Sequence, residues 1–171
     1  MQARDQHDRW DAVEEGAELL REGSTQAAIA ELQRVLREDP DNEYAHHYLG
    51  AAHYEQAEYT QALRCYLRAA ELAPRYGAAW VGVGHTLRMM GQHGEAIRVG
   101  KQLLAQEPDS PDGLHLLGLC HYALGDDEEA AAYLERFLGT RPEFEVAMEV
   151  DGILKLLRGQ VTVTDDEMSE Q

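Results

Sequence analysis

The sequence predicts an all-α solenoid: four stacked helical hairpins closed by one further helix. Two observations carry this. In residues 43 to 74, Leu49, Gly50 and Tyr54, then Ala62, Tyr66 and Ala69, mark the apolar faces of two segments with helical periodicity, on either side of a short polar joint. The same marks then return every 34 residues: Gly16, Gly50, Gly84, Gly118 and Gly152; Ala28, Ala62, Ala96 and Ala130; Pro40, Pro74, Pro108 and Pro142. A fixed period of that length is the signature of hairpins that bury their apolar faces against their neighbours, so a chain of 171 residues needs no central globule.

Taken in order, residues 1 to 8 are polar and without periodicity, and read as a frayed, flexible lead-in. The first helix, about Arg9 to Glu22, sets Trp10, Val13, Ala17 and Leu20 on one face. Asp11, Glu15 and Glu18 take places that later repeats fill mostly with small or apolar residues, as a terminal repeat without a preceding neighbour requires. Gly23 ends this helix, and Ser24 or Thr25 is placed to cap the next, whose apolar positions are Ala28, Ile29, Leu32, Val35 and Leu36. The hairpins are expected at about 9–42, 43–76, 77–110 and 111–144. Asp41 or Asn42 would cap the second, and Ser110 before Pro111 opens the fourth. Gly91 and Gly125 mark intrahairpin turns where the second repeat has Ala57. Gly100 replaces a large residue (Leu32, Tyr66, Leu134), which predicts a cavity or a slot filled by a neighbour such as Trp80. Residues 145 to 158 continue an amphipathic helix, with Phe144, Ala147, Met148, Ile153, Leu154, Leu156 and Leu157 supplying apolar surface, and read as a C-terminal cap. Residues 159 to 171 form an acidic stretch too poor in apolar groups to fold alone, and are expected to be disordered.

Across residues 9 to 144 these columns resemble the tetratricopeptide repeat family, with Gly152 carrying the pattern into the cap. The resemblance implies a right-handed superhelix whose concave groove is lined by the first helix of each hairpin. Ligand-facing residues would recur at the second, fifth, ninth and twelfth places of each repeat. Those places hold Trp10, Val13, Ala17 and Leu20; Tyr44, His47, Ala51 and Tyr54; Ala78, Val81, His85 and Arg88; and Asp112, His115, Leu119 and Tyr122. The strip is aromatic, apolar and histidine-bearing, and an apolar patch on a charged surface marks a partner site. The resemblance therefore implies a protein or peptide ligand, anchored on Trp10, Tyr44, Tyr54 and Tyr122. The family's carboxylate-gripping subgroup uses Lys and Asn, where this chain has His47, Ala51 and His85. In acidity and apolar groove the chain is similar to the chaperones of type III secretion translocators, without their long helical N-terminal extension. Self-assembly through repeat ends or groove is the other reading.

The net charge of -17, from 32 acids against 15 basic residues, disfavours nucleic acid and anionic membranes, which recruit clustered Lys and Arg. No stretch approaches membrane-spanning length and the opening lacks a signal-peptide core. Cys65 and Cys120 stand far apart without a CxxC partner, which together suggest a cytoplasmic protein. No catalytic residue, cofactor or metal site is expected. Gly94 to Gln102 imitates a phosphate loop but has the wrong spacing and ending. Gly82 and Gly84 lack the third glycine of a dinucleotide loop. Adjacent Cys120 and His121 would point about 100° apart on a helix. His47, His85 and His115 could converge in the groove, yet no two histidines stand at i and i+4 on one helix. A groove that weakens as they charge near pH 6 is the more plausible role for them.

Overall fold

The computed structural model describes residues 2 to 159, and it is a right-handed superhelical solenoid. The helices are α1 (Gln2–Asp11), α2 (Glu14–Arg21), α3 (Thr25–Glu38), α4 (Glu43–Glu55), α5 (Tyr59–Leu72), α6 (Gly77–Met89), α7 (His93–Gln106), α8 (Pro111–Leu124), α9 (Asp127–Gly139) and α10 (Phe144–Leu157). Each packs on the next from α2 onwards. The first helices also touch one another, α2 on α4, α4 on α6 and α6 on α8, while no pair of second helices makes a comparable contact. The first helices are therefore drawn together on one side, and the stack curves around them.

The columns read from sequence are the points where helices cross. A Cβ added at Gly16 would come 2.7 Å from Leu32, one at Gly50 would come 2.9 Å from the Tyr66 ring, and one at Gly118 would come 2.5 Å from Leu134. Ala28, Ala62, Ala96 and Ala130 are fully buried. Small residues let these backbones approach, and large residues from the facing helix fill the space they leave. At Gly100 the slot is taken by Leu117 of α8, with a Cβ there 2.7 Å from its Cγ, and not by Trp80, whose indole N–H instead donates to the Pro74 carbonyl at 3.1 Å. The intrahairpin turns need left-handed backbone at one residue, Gly23, Gly91 and Gly125 at φ 76–77°. Ala57 adopts the same conformation at φ 57° without glycine's freedom.

Several expectations are corrected. Residues 2 to 8, expected to be without periodic structure, begin helix α1, and the expected first helix is divided at Ala12 and Val13, where the Val13 amide bonds to the Trp10 carbonyl three residues back. Neither Ser24 nor Thr25 caps α3; the Thr25 hydroxyl donates to Glu55 at 3.1 Å. Asn42 does cap α4, accepting from the Ala45 amide at 3.0 Å while its own amide donates to the Arg9 carbonyl. Ser110 caps α8. Helix α10 covers Leu114, Leu134 and Phe137 of the last hairpin through Val150 and Leu154. Phe144 and Met148, expected to help bury that surface, are 78% and 55% exposed, and Leu156 near the end of the helix is exposed as well. An Asp151–Lys155 ion pair at 2.6 Å adds polar groups to α10. The acidic stretch from residue 160 onward lies outside the described residues.

Candidate concave-face binding site

The first helices bring six of the sequence-selected residues to one cavity of about 310 Å³: His47 and Tyr54 from α4, Ala78, Val81 and His85 from α6, and Asp112 from α8. Tyr66 and Gly82 complete it. The Tyr66 ring, reaching from α5, lies against Gly50 and Gly82 together, so both glycines are needed for it to lie where it does. Successive repeats have Tyr48, Leu116 and Val150 at the place of Gly82. At Gly82 that place is taken by the Tyr66 ring, against which a Cβ there would clash, and the cavity opens beside the ring.

Around this cavity the aromatic groups form a connected chain. Trp10 meets Tyr44 edge-on at 5.4 Å, Tyr44 meets Tyr76 at 5.4 Å, Tyr76 meets His47 at 5.1 Å, and His47 meets Tyr66 at 5.5 Å. Edge-to-face and tilted packing at these separations is favourable for aromatic rings and stiffens the surface they make. Sequence reasoning missed Tyr76, which precedes α6 and so falls outside the four columns used for the groove, and it missed Gly82. The informative signal for Gly82 was a missing large residue in its column.

Burial holds His47 and His85 neutral, each pushed down to about 4, with Arg88 and His115 adding to the effect at His85. His115 is also lowered, by burial first and then by Arg88, against the opposing influence of Glu149 and Asp112. The His85 and His115 rings stand 6.1 Å apart, and His115 stacks on Phe137 at 4.6 Å. A groove that switches near pH 6 is therefore not what His47 and His85 provide, because they remain uncharged well below it. His47 packs among Tyr48, Tyr66 and Tyr76 instead of joining the other two. Among the described residues no group of three or more His, Cys, Asp or Glu side chains is placed to hold a metal ion. The stretch that imitates a phosphate loop lies within α7.

The remaining sequence-selected residues fall elsewhere. Val13 is fully buried among Leu32, Val35, Ala45 and Leu49 and so cannot face a ligand: the break between α1 and α2 lets it turn into the core. Ala17 is buried too. Trp10 is exposed at the N-terminal end of the aromatic chain, Leu20, Ala51 and Leu119 are half-buried, and Tyr122 is exposed. Burial pushes the Tyr54 hydroxyl upward, and the charge of Arg88 pulls it back. The Nε of Arg88 is buried with no hydrogen-bond partner.

A curved stack of helical hairpins, with a cavity and an aromatic chain on its inner face, defines a repeat protein that presents a shaped surface. A family model for the tetratricopeptide repeat matches residues 19–82 and 87–148, and the chain belongs to that family, whose arrays generally mediate protein–protein interaction. Superkiller complex protein 3 of Mus musculus is 30% identical over 138 residues, covering 77% of this chain and 9% of that protein. The Homo sapiens protein of the same name is 30% identical over 137 residues, covering 76% and 9%. The chain thus spans about a tenth of the length of these curated relatives. Among solved structures, MamA 41-end from Desulfovibrio magneticus RS-1 superposes with a TM-score of 0.75 at 19% identity, covering 90% of this chain and 85% of that one. Pseudomonas aeruginosa pilF superposes with a TM-score of 0.78 at 24% identity, covering 92% and 72%. At such identities the likeness shows the fold alone. Among the described residues no helix is long and apolar enough to cross a membrane.

Proposed function

We propose that the chain is a non-enzymatic adaptor or scaffold that binds a peptide or partner segment along its concave face. The observation that carries this reading is the cavity of about 310 Å³ lined by His47, Tyr54, Tyr66, Ala78, Val81, Gly82, His85 and Asp112. It is mostly apolar, open to solvent and large enough for one bulky side chain, as recognition cavities are. The aromatic chain from Trp10 to Tyr66 extends the contact surface beyond it. We place the protein in the cytoplasm, since Cys65 and Cys120 are both free thiols. The net charge of -17 sets nucleic acid and membrane surfaces aside as partners. A dedicated chaperone of a secreted protein would use the same groove. The test is partner recovery with the Tyr54→Ala, Tyr122→Ala double variant and with Ala78→Phe, which fills the cavity from an exposed position. Both should lose the partner with helicity intact, whereas Arg34→Ala, whose guanidinium pairs with Glu31 and Glu38 of its own helix, should retain it. Loss with Arg34→Ala and retention with the groove variants would move the function to the convex side.

A second reading, self-assembly, is favoured by the outer face of α10, where Phe144 and Met148, one turn apart, are both exposed. Sedimentation of the chain and of Met148→Glu over a range of concentrations tests it. A mass that stays monomeric at every concentration removes it.

A further inference from the structure

Of all the described lysines and arginines, two are half-buried, Arg9 and Arg88. Arg9 has Asp39 at 3.0 Å and Glu43 at 3.1 Å. Arg88 has no carboxylate at ion-pair distance among the described residues, although the chain holds 32 acidic side chains. Its charge acts on the Tyr54 hydroxyl, the His85 and His115 rings and the Cys120 thiol. A partly desolvated guanidinium is ordinarily paired, because a charge taken from water without a counter-ion is costly. Its planar fork also matches a carboxylate in bidentate geometry.

Arg88 stands about one turn beyond His85 on α6, and His85 lines the cavity together with Tyr54, on which the Arg88 charge acts, so an apolar cavity and an unmatched cation sit side by side on the concave face. Resting on the groove reading, we infer that the ligand segment carries a carboxylate that pairs with Arg88 next to a bulky apolar side chain that fills the cavity between α4 and α6. The carboxylate comes from an Asp or Glu side chain or from a chain end. The net charge of -17 repels a strongly acidic peptide at long range, so the rest of the segment is neutral or basic and the carboxylate is a single, locally read group. Arg88 then supplies specificity, because a ligand with an amide in place of the acid leaves the guanidinium buried and unmatched.

The test uses a displayed library of random octapeptides selected on the full chain, followed by synthesis of the enriched sequences. Enriched peptides should combine one bulky apolar residue with a nearby Asp, Glu or free C-terminus. Replacing that acid by its amide, or Arg88 by Gln, should each weaken binding at least tenfold, and the two changes together should weaken it little further, the signature of a direct pair. Arg88→Lys should recover part of the loss, and circular dichroism of each variant checks that the array is intact. Comparing free-acid with amidated C-termini separates a chain end from a side chain. Enriched apolar peptides without an acid, insensitive to Arg88→Gln but blocked by Ala78→Phe, would overturn this inference and leave the groove reading standing. Peptides insensitive to Ala78→Phe and to Tyr54→Ala, or none recovered at all, would overturn both. Binding seen only after removal of residues 160 to 171 would make the chain's own acidic segment the resident carboxylate and overturn the inference of an outside ligand.

Discussion

Two glycines in one column should respond in opposite directions to the same substitution. An alanine at Gly118 of α8 would place its Cβ 2.5 Å from one methyl of Leu134 and 2.6 Å from its Cγ, with the Leu134 amide nitrogen 3.4 Å away. Leu134 is fully buried within the core of the last hairpin, so overpacking should cost about 1–3 kcal/mol. Removing a helical glycine returns about 1 kcal/mol of propensity, which leaves Gly118→Ala destabilising by about 1 kcal/mol or somewhat more. At Gly152 of α10 the same Cβ meets nothing within 4 Å. Only the propensity gain remains, so Gly152→Ala should stabilise by about 1 kcal/mol. In an array of this size each kcal/mol moves the melting point by roughly 2–4 °C, which places the two variants on opposite sides of the parent. The assay is thermal and urea unfolding by circular dichroism, with two probes compared because repeat arrays can lose two-state behaviour. A Gly152→Ala variant less stable than the parent would refute the open face of α10 and show that a second copy or residues 160 to 171 cover it in solution. A stabilised Gly118→Ala would refute the crossing itself.

Other outcomes follow from the same geometry. Ala62 is fully buried beside Tyr66, so Ala62→Leu should destabilise by about 1–3 kcal/mol, whereas Ala27→Leu on the exposed face of α3 should be nearly silent in the same melts. Left-handed backbone costs an L-residue about 1–2 kcal/mol, and a new glycine gives back part of that to unfolded-chain entropy, so Ala57→Gly should raise stability by about 0.5–1 kcal/mol, read from the urea midpoint. His47 and His85 are held near 4, below the ordinary value near 6.5, and therefore bind fewer protons folded than unfolded between those limits. Stability should accordingly fall as pH drops from about 6.5 towards 4, by about 3 kcal/mol for each histidine, and His47→Phe should flatten that slope in melts at pH 7 and pH 4.5.

The fold was legible because its physics repeats. A small residue at a crossing and a large one facing it recur at Gly16 with Leu32, Gly50 with Tyr66 and Gly118 with Leu134, so each copy corroborates the others. What escaped were places where one copy departs from the rest. Gly100 has no large side chain of its own, and the compensating residue, Leu117, comes from the next hairpin at an offset that no single repeat contains. The division of the first helix at Val13 is of the same kind. The column assigns Val13 to the groove, but a β-branched apolar side chain at the end of the stack gains more by entering the core between Leu32 and Leu49.

The candidate site shows where column reasoning stops. Columns identify which side chains can face inward, and His47, Tyr54, Val81 and His85 do meet at one cavity. They do not say whether there is room between those side chains, because room is made by residues that are small where their equivalents are large. Here that residue is Gly82, which makes room for a Tyr66 ring delivered from the preceding hairpin, and the cavity opens beside that ring. Nor does a column reveal that Arg88 lacks a carboxylate partner among the described residues, since pairing depends on side chains from α4 and α8 as well as its own α6. Both features belong to the spaces between repeats. For a solenoid this divides the information in the sequence: periodic positions specify the scaffold, and departures from the period, combined across neighbouring hairpins, specify what the scaffold binds. Restoring the period at position 82 with leucine should therefore close the cavity and force the Tyr66 ring to move. Loss of ligand without loss of helicity in Gly82→Leu is the expected result, measured beside Ala78→Phe, which fills the same space without touching Tyr66's seat against Gly50. Undiminished binding in both would place recognition along the aromatic chain from Trp10 to Tyr76 and not in the cavity.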